Sequence, residues 1–545
     1  MMKSFVSPER QYPSTHVIIG RRQTHKTKSA WAPTQVLLPH AFLFLLILFG
    51  FGTVILHNYA TISAIRTHDG IHLPHGLSAF HPLDRVNMRK GLGDRNQRLD
   101  EISDIEMDPT SPFVEQRQWY KQLRQSFDEE YSSFQLGESD VGGDQVYNPE
   151  AYDKLVKFTK ELHGSLTFPL VDTGLTKVPY DVFDCPSEPP ANYPVQFPLV
   201  DLLSNWNPDN VTMNRPAHPI HIGLCIFDYT NRRHYAASLI YRKKELPFVL
   251  RYHPEILPTV FRWNHPSYMK ELLDIRHLPP QRTEYSKNNH FMFWRLPGRN
   301  RNKNAVPHGW QAPTENIELS YQEWLSHANI TASKRARTLN KNDEHYYYRL
   351  NGCSTEMLDF AKDFALTIEE GRKPHGSTPS DKCPQLFLFD ELPYFTPWSI
   401  ESSDFLIEPQ GYRGINCRFG MEGAIAENHF DMTRNFVTVL KGDRRYILSH
   451  PNQCGNMALY PKNHPSGRHS IIDWSDIHSD PTWKNKFPEF YTKATANEVV
   501  LQAGDALYLP TNWMHYIVSL NLNYQCNARS GMTDDYNQEI IDCGF

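Results

Sequence analysis

Cysteine is absent from the first 184 of the 545 residues, and no Cys-x-x-Cys pair occurs anywhere in the chain. A zinc ribbon or a thioredoxin-like centre is thereby excluded. Basic residues do not dominate: 56 Lys and Arg face 61 Asp and Glu, for a net charge of −5, so no basic domain marks a nucleic-acid partner. No repeat period is visible, which removes solenoids and arrays. There is no Asp-x-Asp triplet, the metal motif that a tethered glycosyltransferase needs. Glycine is scarcer than proline, 28 against 40, a balance that suits many short elements joined by stiff turns. A hydrophobic fraction of 40% with 21% charged residues rules out wholesale disorder and a multi-pass membrane protein. At about 150 residues per domain the length allows three or four domains.

Long apolar runs are also few, but one stands out. Val36 to Leu56 contains no Asp, Glu, Lys or Arg, and as a helix it spans about 30 Å. It lies too far from the N-terminus, and is too long, for an ordinary signal peptide. The expectation is a transmembrane signal-anchor over 36–57. Residues 1–35 carry a surplus of positive charge, so the positive-inside rule leaves them cytosolic and the remainder lumenal, a single-pass type II protein of the ER or Golgi. All eight cysteines follow the run; an even number permits disulfides, with the pairing left open. Asn210-Val-Thr and Asn329-Ile-Thr are glycosylation sequons, which adds the expectation of a glycoprotein.

Residues 58–147 read as an acidic stem, partly disordered. Within it Trp119, Leu123 and Phe127 fall on one helical face, a stem helix resting on the body. Asn148-Pro149-Glu150 opens a second helix that Gly164 closes. Residues 148–240 form a stem-proximal α/β region to which no chemistry attaches. Ser320 and Glu323 form a capping box ahead of a further helix, and Asn329 to Glu344 read as an exposed loop.

From 241 to 545 the pattern changes. The runs 435–440, 445–448, 498–501, 506–509 and 515–520 are short and β-branched or aromatic, with Gly442-Asp443 and Gly504-Asp505 as turns between two pairs. Such strands argue for a mainly β sandwich or jelly roll. Glu427-Asn-His429-Phe-Asp431 lies among them, and strand alternation directs His429 and Asp431 to one side. Pro510-Thr-Asn-Trp-Met-His515 offers a third ligand from another strand. Two histidines and a carboxylate that leave positions open suit an Fe(II) oxygenase. The other histidines of this region, His450, His464, His469 and His478, lie among polar loop residues and read as solvated.

The runs Gly420-Met-Glu-Gly-Ala-Ile-Ala-Glu-Asn-His-Phe-Asp431, continuing to Phe436, and Lys441-Gly-Asp-Arg-Arg-Tyr-Ile-Leu448 resemble the JmjC/cupin-like 2-oxoglutarate dioxygenases. The branch most resembled contains the asparaginyl hydroxylase that acts on hypoxia-inducible factor. Gly504-Asp-Ala-Leu-Tyr-Leu-Pro-Thr-Asn-Trp-Met-His515 resembles that family's second signature, and Leu246–Leu250, Trp263 and Asn288–Met292 resemble its upstream segments. The resemblance implies a double-stranded β-helix (jelly-roll/cupin) core with flanking helices, here preceded by one transmembrane helix and the stem. It implies Fe(II) held by His429, Asp431 and His515, and 2-oxoglutarate as co-substrate near Asn435, Asn527 and Tyr347. Two departures bear on the co-substrate. Arg444 stands where the branch has a lysine for the distal carboxylate, and Ala426 where it has a threonine hydroxyl; Arg529 is a rival anchor. Arg444 and Arg445 otherwise read as an exposed hairpin charge pair.

The function so implied is hydroxylation of a side chain of a secretory-pathway protein or peptide, with no nucleic-acid partner and the membrane met through the N-terminal helix alone. A lumenal domain would disfavour histone lysine demethylation. The alternative is a catalytically inactive lumenal cupin-like interaction or assembly factor, for which Ala426 and Arg444 argue. A metal cupin of another reaction type is the third possibility.

Overall fold

The structure, a computed structural model, describes residues 112–130, 149–163, 179–204, 222–296, 306–334, 343–369, 379–395, 405–406 and 414–545. In chain order its first elements are α1 (Pro112–Glu130), α2 (Pro149–His163), β1 (Phe197–Pro198), α3 (Leu199–Ser204), β2 (Ile226–Asp228), α4 (Arg232–Lys243) and β3 (Phe248–Arg251). Next come α5 (Leu257–Asn264), α6 (Pro266–Leu272), β4 (Gln281–Ser286), β5 (His290–Phe291), β6 (Glu315–Leu319), α7 (Tyr321–Lys334), β7 (His345–Asn351) and α8 (Thr355–Glu369). The C-terminal part supplies β8 (Ile415–Gly420), β9 (Ile425–Phe430), β10 (Arg434–Lys441), β11 (Asp443–Ser449), β12 (Thr495–Gln502), β13 (Ala506–Leu509), β14 (Met514–Ser519) and β15 (Asn523–Ser530).

The strands form two sheets. One runs β1-β12-β11-β14-β9-β5, the other β2-β3-β13-β10-β15-β8-β7-β4-β6. The expected C-terminal strands are all present, yet the Gly-Asp pairs are not hairpin tips. β10 belongs to the nine-stranded sheet and β11 to the six-stranded one, and β12 and β13 are divided in the same way. Each Gly-Asp pair is therefore a corner at which the chain crosses between sheets. Gly442 takes φ +67, and a Cβ there would collide with Asn521 Oδ1 and Leu522 O, so the corner requires glycine.

The outer face of the nine-stranded sheet is aromatic. Phe419, Tyr348, Tyr524, Trp263 and Trp324 are all fully or almost fully buried there, beneath helices that include α5 and α7. Helix α1 closes the side of this layer: Trp119 stacks on His277 at 3.7 Å between ring centroids, and Phe127 meets Tyr268 edge-on. The outer face of the six-stranded sheet packs Ile447, Tyr516 and Val518 against Leu199, Leu202 and Trp474. Four disulfides, Cys185–Cys225, Cys353–Cys383, Cys417–Cys526 and Cys454–Cys543, use all eight cysteines. Cys417–Cys526 joins directly opposed residues of β8 and β15.

Several expectations change. No helix among the described residues is long and apolar enough to cross a membrane. The anchor expected at 36–57 lies outside the described residues. The type II topology, the ER or Golgi placement and the lumenal domain lose their support and are withdrawn. So is the glycoprotein assignment: Asn210 lies outside the described residues, and Asn329 sits within α7. The loop expected from Asn329 is helical through Lys334, because the capping box at Ser320 and Glu323 nucleates a longer helix. Arg444 and Arg445 are not an exposed pair; they are 0% and 1% exposed. Arg445 is ion-paired with Glu498 at 2.7 Å and also donates to Leu202 O.

Candidate metal centre

Register explains how residues far apart in sequence meet. On β14 and β9, His515 lies directly opposite His429, so the two imidazoles share the inner face of the six-stranded sheet, with ring centroids 4.2 Å apart. Asp431 follows β9 at once, and its Oδ2 is 4.0 Å from His515 Nε2. One ligand atom from each of the three residues falls within 4.8 Å of the others.

The donor chemistry is set by the backbone. His429 Nδ1 donates to Glu427 O at 2.7 Å, and His515 Nδ1 donates to Trp513 O at 3.0 Å. Each bond fixes the proton on Nδ1 and leaves the Nε2 lone pair for a ligand role. Burial lowers both imidazoles, His429 well below its ordinary value with His515 and His469 adding to the effect, so both are neutral. Burial pushes the Asp431 carboxyl up, but the charge and hydrogen bond of the adjacent Arg529 guanidinium draw it far below its usual range. Arg529 Nη2 reaches Asp431 Oδ2 at 2.6 Å. Two neutral imidazoles and one ionised carboxylate fit a borderline divalent cation such as Fe(II).

The facing inner side of the nine-stranded sheet is unusually polar for the interior of a sandwich. Arg418 opposes both Arg349 and Gln525, and Asn435 opposes Arg529. Tyr347 is two residues before Arg349 and shares its face. Arg444 crosses from β11 of the other sheet into this layer. Its Nη1 donates to Tyr347 Oη at 2.8 Å and to Gln525 Oε1 at 2.6 Å, its Nε to Asn523 Oδ1, and its Nη2 to Arg418 O at 3.2 Å. Gly420 makes room for it, since a Cβ there would press on Ser519, Asn523 and the guanidinium. Asn527 donates to Asn435 Oδ1 at 2.9 Å and accepts from Arg418 Nη1 at 3.1 Å. Ala426 lies opposite Ile517 and offers no polar group.

The structure thus brings together all eight residues singled out in the sequence, in two groups. His429, Asp431, His515 and Arg529 form one; Tyr347, Arg444, Asn435 and Asn527 line the space beside it. Arg529 is spent on Asp431 rather than free as a rival anchor. Sequence reasoning passed over Arg418, whose neighbours Cys417 and Phe419 give no signal. It also misread His469, which is 2% exposed and stacks on His429 at 5.0 Å. Burial takes its imidazole down to about 4, which makes it a neutral plate behind a candidate ligand. His450 is likewise not free in solvent; it packs against Trp513 and Tyr536.

A second set of donor types, His290, Glu427 and Asp473, also clusters. His290 Nδ1 bonds Glu427 Oε1 and its Nε2 lies 3.8 Å from Asp473 Oδ2. Both ring nitrogens face carboxylates, so in this structure the imidazole bridges two acids.

A family model described as a cupin-like domain matches residues 240–532. Among curated proteins, the chain is 31% identical over 110 residues to lysine-specific demethylase 8 of Xenopus tropicalis, covering 20% of this chain and 23% of that protein. It is 31% identical over 111 residues to JmjC domain-containing protein D of Dictyostelium discoideum, covering 20% and 23%. It is 25% identical over 188 residues to tRNA wybutosine-synthesizing protein 5 of Gallus gallus, covering 34% and 46%. The chain therefore spans less than half the length of each of these relatives. Their names give the secretory-pathway substrate no support.

Proposed function

The chain belongs to the cupin-like domain family, and from that membership we propose that it is an iron(II)- and 2-oxoglutarate-dependent oxygenase that hydroxylates a side chain of a protein or peptide. The observation that carries this is the donor set: two imidazoles with Nδ1 tied to backbone carbonyls, converging with one ionised carboxylate. The finer kinship with the asparaginyl hydroxylase, resting on 420–436 and 441–448, is part of the same proposal. With the lumenal placement withdrawn, the argument against a methylated lysine lapses, and that side chain stays within the substrate class.

In this proposal His429, Asp431 and His515 hold the iron. When bound there, iron(II) supplies the oxidative chemistry in which 2-oxoglutarate and O₂ become succinate and CO₂ while one oxygen atom enters a substrate C–H bond. The protein's own groups prepare for that. Arg529 orients the Asp431 carboxylate and keeps it ionised. Arg444 and the Tyr347 hydroxyl receive the distal carboxylate of 2-oxoglutarate, and the Asn435 and Asn527 amides flank its other end. Leu448 and Ile517, on the inner face beside His515, keep water from the reacting centre.

The test is metal analysis of the purified protein together with 2-oxoglutarate titration and succinate release. Stoichiometric divalent metal and metal-dependent 2-oxoglutarate binding are expected; their absence would refute the proposal. Tyr347→Phe removes one hydroxyl from the pocket without altering its shape, and should weaken 2-oxoglutarate binding by roughly tenfold or less while metal stoichiometry stays unchanged.

A second reading has its own observation. Arg444 already bonds Tyr347, Gln525, Asn523 and Arg418 O, and Ala426 offers no hydroxyl. A metal-holding protein that does not turn over 2-oxoglutarate, acting as an interaction or assembly factor, would keep the metal and give no 2-oxoglutarate-dependent shift in unfolding temperature.

A further inference from the structure

Four guanidiniums serve the enclosed layer between the sheets, and only two are matched by acids. Arg349 pairs with Glu284 at 2.5 Å and Arg529 with Asp431 at 2.6 Å. Arg418 and Arg444 form no ion pair with a carboxylate among the described residues; their hydrogen-bond partners are amides, a phenol and a carbonyl. Burial and the neighbouring Arg349 pull the Arg418 guanidinium down to about 10, which still leaves it protonated near neutrality. Burying charge without a counter-charge is costly. Two such cations side by side call for an anionic occupant.

The position of Arg418 says where that anion runs. Gln525, Asn527 and Arg529 are alternate residues of β15 and share one face, separated by roughly 7 Å per step. Gln525 receives Arg444, Asn527 receives Arg418, and Arg529 holds Asp431. Arg418 is thus the middle cation of three, between the Arg444 end and the metal triad. Arg418 keeps partial accessibility, and its single side-chain bond to Asn527 leaves most of its donors uncommitted.

We propose that Arg418 is a second cationic anchor for the anionic co-substrate, contacting it between Arg444 and the metal triad, so that this pocket grips a dicarboxylate with two guanidiniums. This rests on the 2-oxoglutarate proposal above and adds a contact to it. Arg418 then determines co-substrate affinity and not the ability to hold metal.

The experiment is calorimetric titration of 2-oxoglutarate into the Mn(II)-loaded full chain and its variants. Arg418→Met should weaken binding by roughly tenfold or more, the scale of a lost charge-assisted contact, with Mn(II) stoichiometry unchanged. Arg418→Lys should restore part of the loss. Arg418→Gln, closer in polarity, serves if the methionine variant does not fold, and should show the same loss. If Arg418 merely held Asn527 in place, Asn527→Ala would reproduce the effect and Arg418→Met would add nothing to it. A direct contact predicts a further loss in the Asn527→Ala background. Binding by the Arg418 variants within twofold of wild type, or no further loss in that background, overturns the proposal and leaves the oxygenase reading standing. A wild-type protein that holds Mn(II) yet binds no 2-oxoglutarate overturns both.

Discussion

Asp431→Ala is expected to abolish stoichiometric metal binding and, with it, substrate-coupled 2-oxoglutarate turnover. Asp431 is the only anion of the triad, and His429 and His515 are both neutral, so the variant leaves an incoming cation no charge to meet. Loss of an outer partner of a metal ligand already costs about 10- to 100-fold in affinity; loss of the sole anionic ligand should exceed about 100-fold. The substitution also strands Arg529, whose Nη2 lies 2.6 Å from the carboxylate it would lose, and a positive charge then faces the site. His429→Ala should act in the same direction, with the Arg529 pair intact. Metal content by elemental analysis, alongside thermal unfolding to establish that each variant is folded, decides the matter. Undiminished metal in folded Asp431→Ala would remove the foundation of the oxygenase proposal.

The largest effect on stability should come from Glu391, away from the metal centre. This carboxylate is 0% exposed and accepts from Tyr120 at 2.7 Å, from Tyr268, from Arg262 at 3.0 Å and from Trp263 at 3.0 Å. One side chain thereby joins α1, α5 and α6. Glu391→Ala takes the carboxylate away from buried Arg262, and breaking a buried ion pair in this way costs about 3–5 kcal/mol. The expected readout is a large fall in unfolding midpoint, with α1 becoming accessible to protease first because Tyr120 loses its acceptor. A midpoint within error of wild type would show that the hub contributes nothing net. The same group has a pH signature. Burial pushes the carboxyl up, but Arg262, Arg124 and the two phenols outweigh it, so its folded pKa lies below the ordinary 4.5. A depressed carboxylate contributes its full stability above the unfolded pKa. That contribution is lost as pH falls from about 4.5 through the lower folded value. Stability should therefore decline in that acid range, and the Glu391→Ala variant should lack this part of the decline.

The convergence of the candidate triad could be anticipated from the chain because strand periodicity is local. His429 and Asp431 are two residues apart, and a β-strand has no choice but to turn alternate side chains the same way. The run 510–515 could be read for a related reason, since a proline turn before a strand places the next histidine at its start. Short β-branched runs likewise announced the strands, and Ser320 with Glu323 announced the start of α7. Arg418 and Glu391 carried no such sign. Arg418 stands between Cys417 and Phe419, and Glu391 sits beside Asp390 in a short Leu-Phe-Asp-Glu-Leu run; the meaning of each depends on what lies opposite. Arg418 meets Gln525 across a β-ladder, and Glu391 meets Tyr120 from 271 positions earlier in the chain. His469 was misjudged because polar neighbours in sequence do not report burial; folding places it against His429.

Sequence alone determined the alternation of faces, the presence of glycine turns and the types of donor available, since these follow from covalent geometry and side-chain chemistry within a few residues; that the Gly-Asp turns cross between sheets came from the fold. Only the tertiary structure decided which cations have acids beside them. Charge compensation acts through space: of the adjacent Arg444 and Arg445, Arg445 ends paired with Glu498, and Arg444 ends among amides, a phenol and a carbonyl with no carboxylate partner among the described residues.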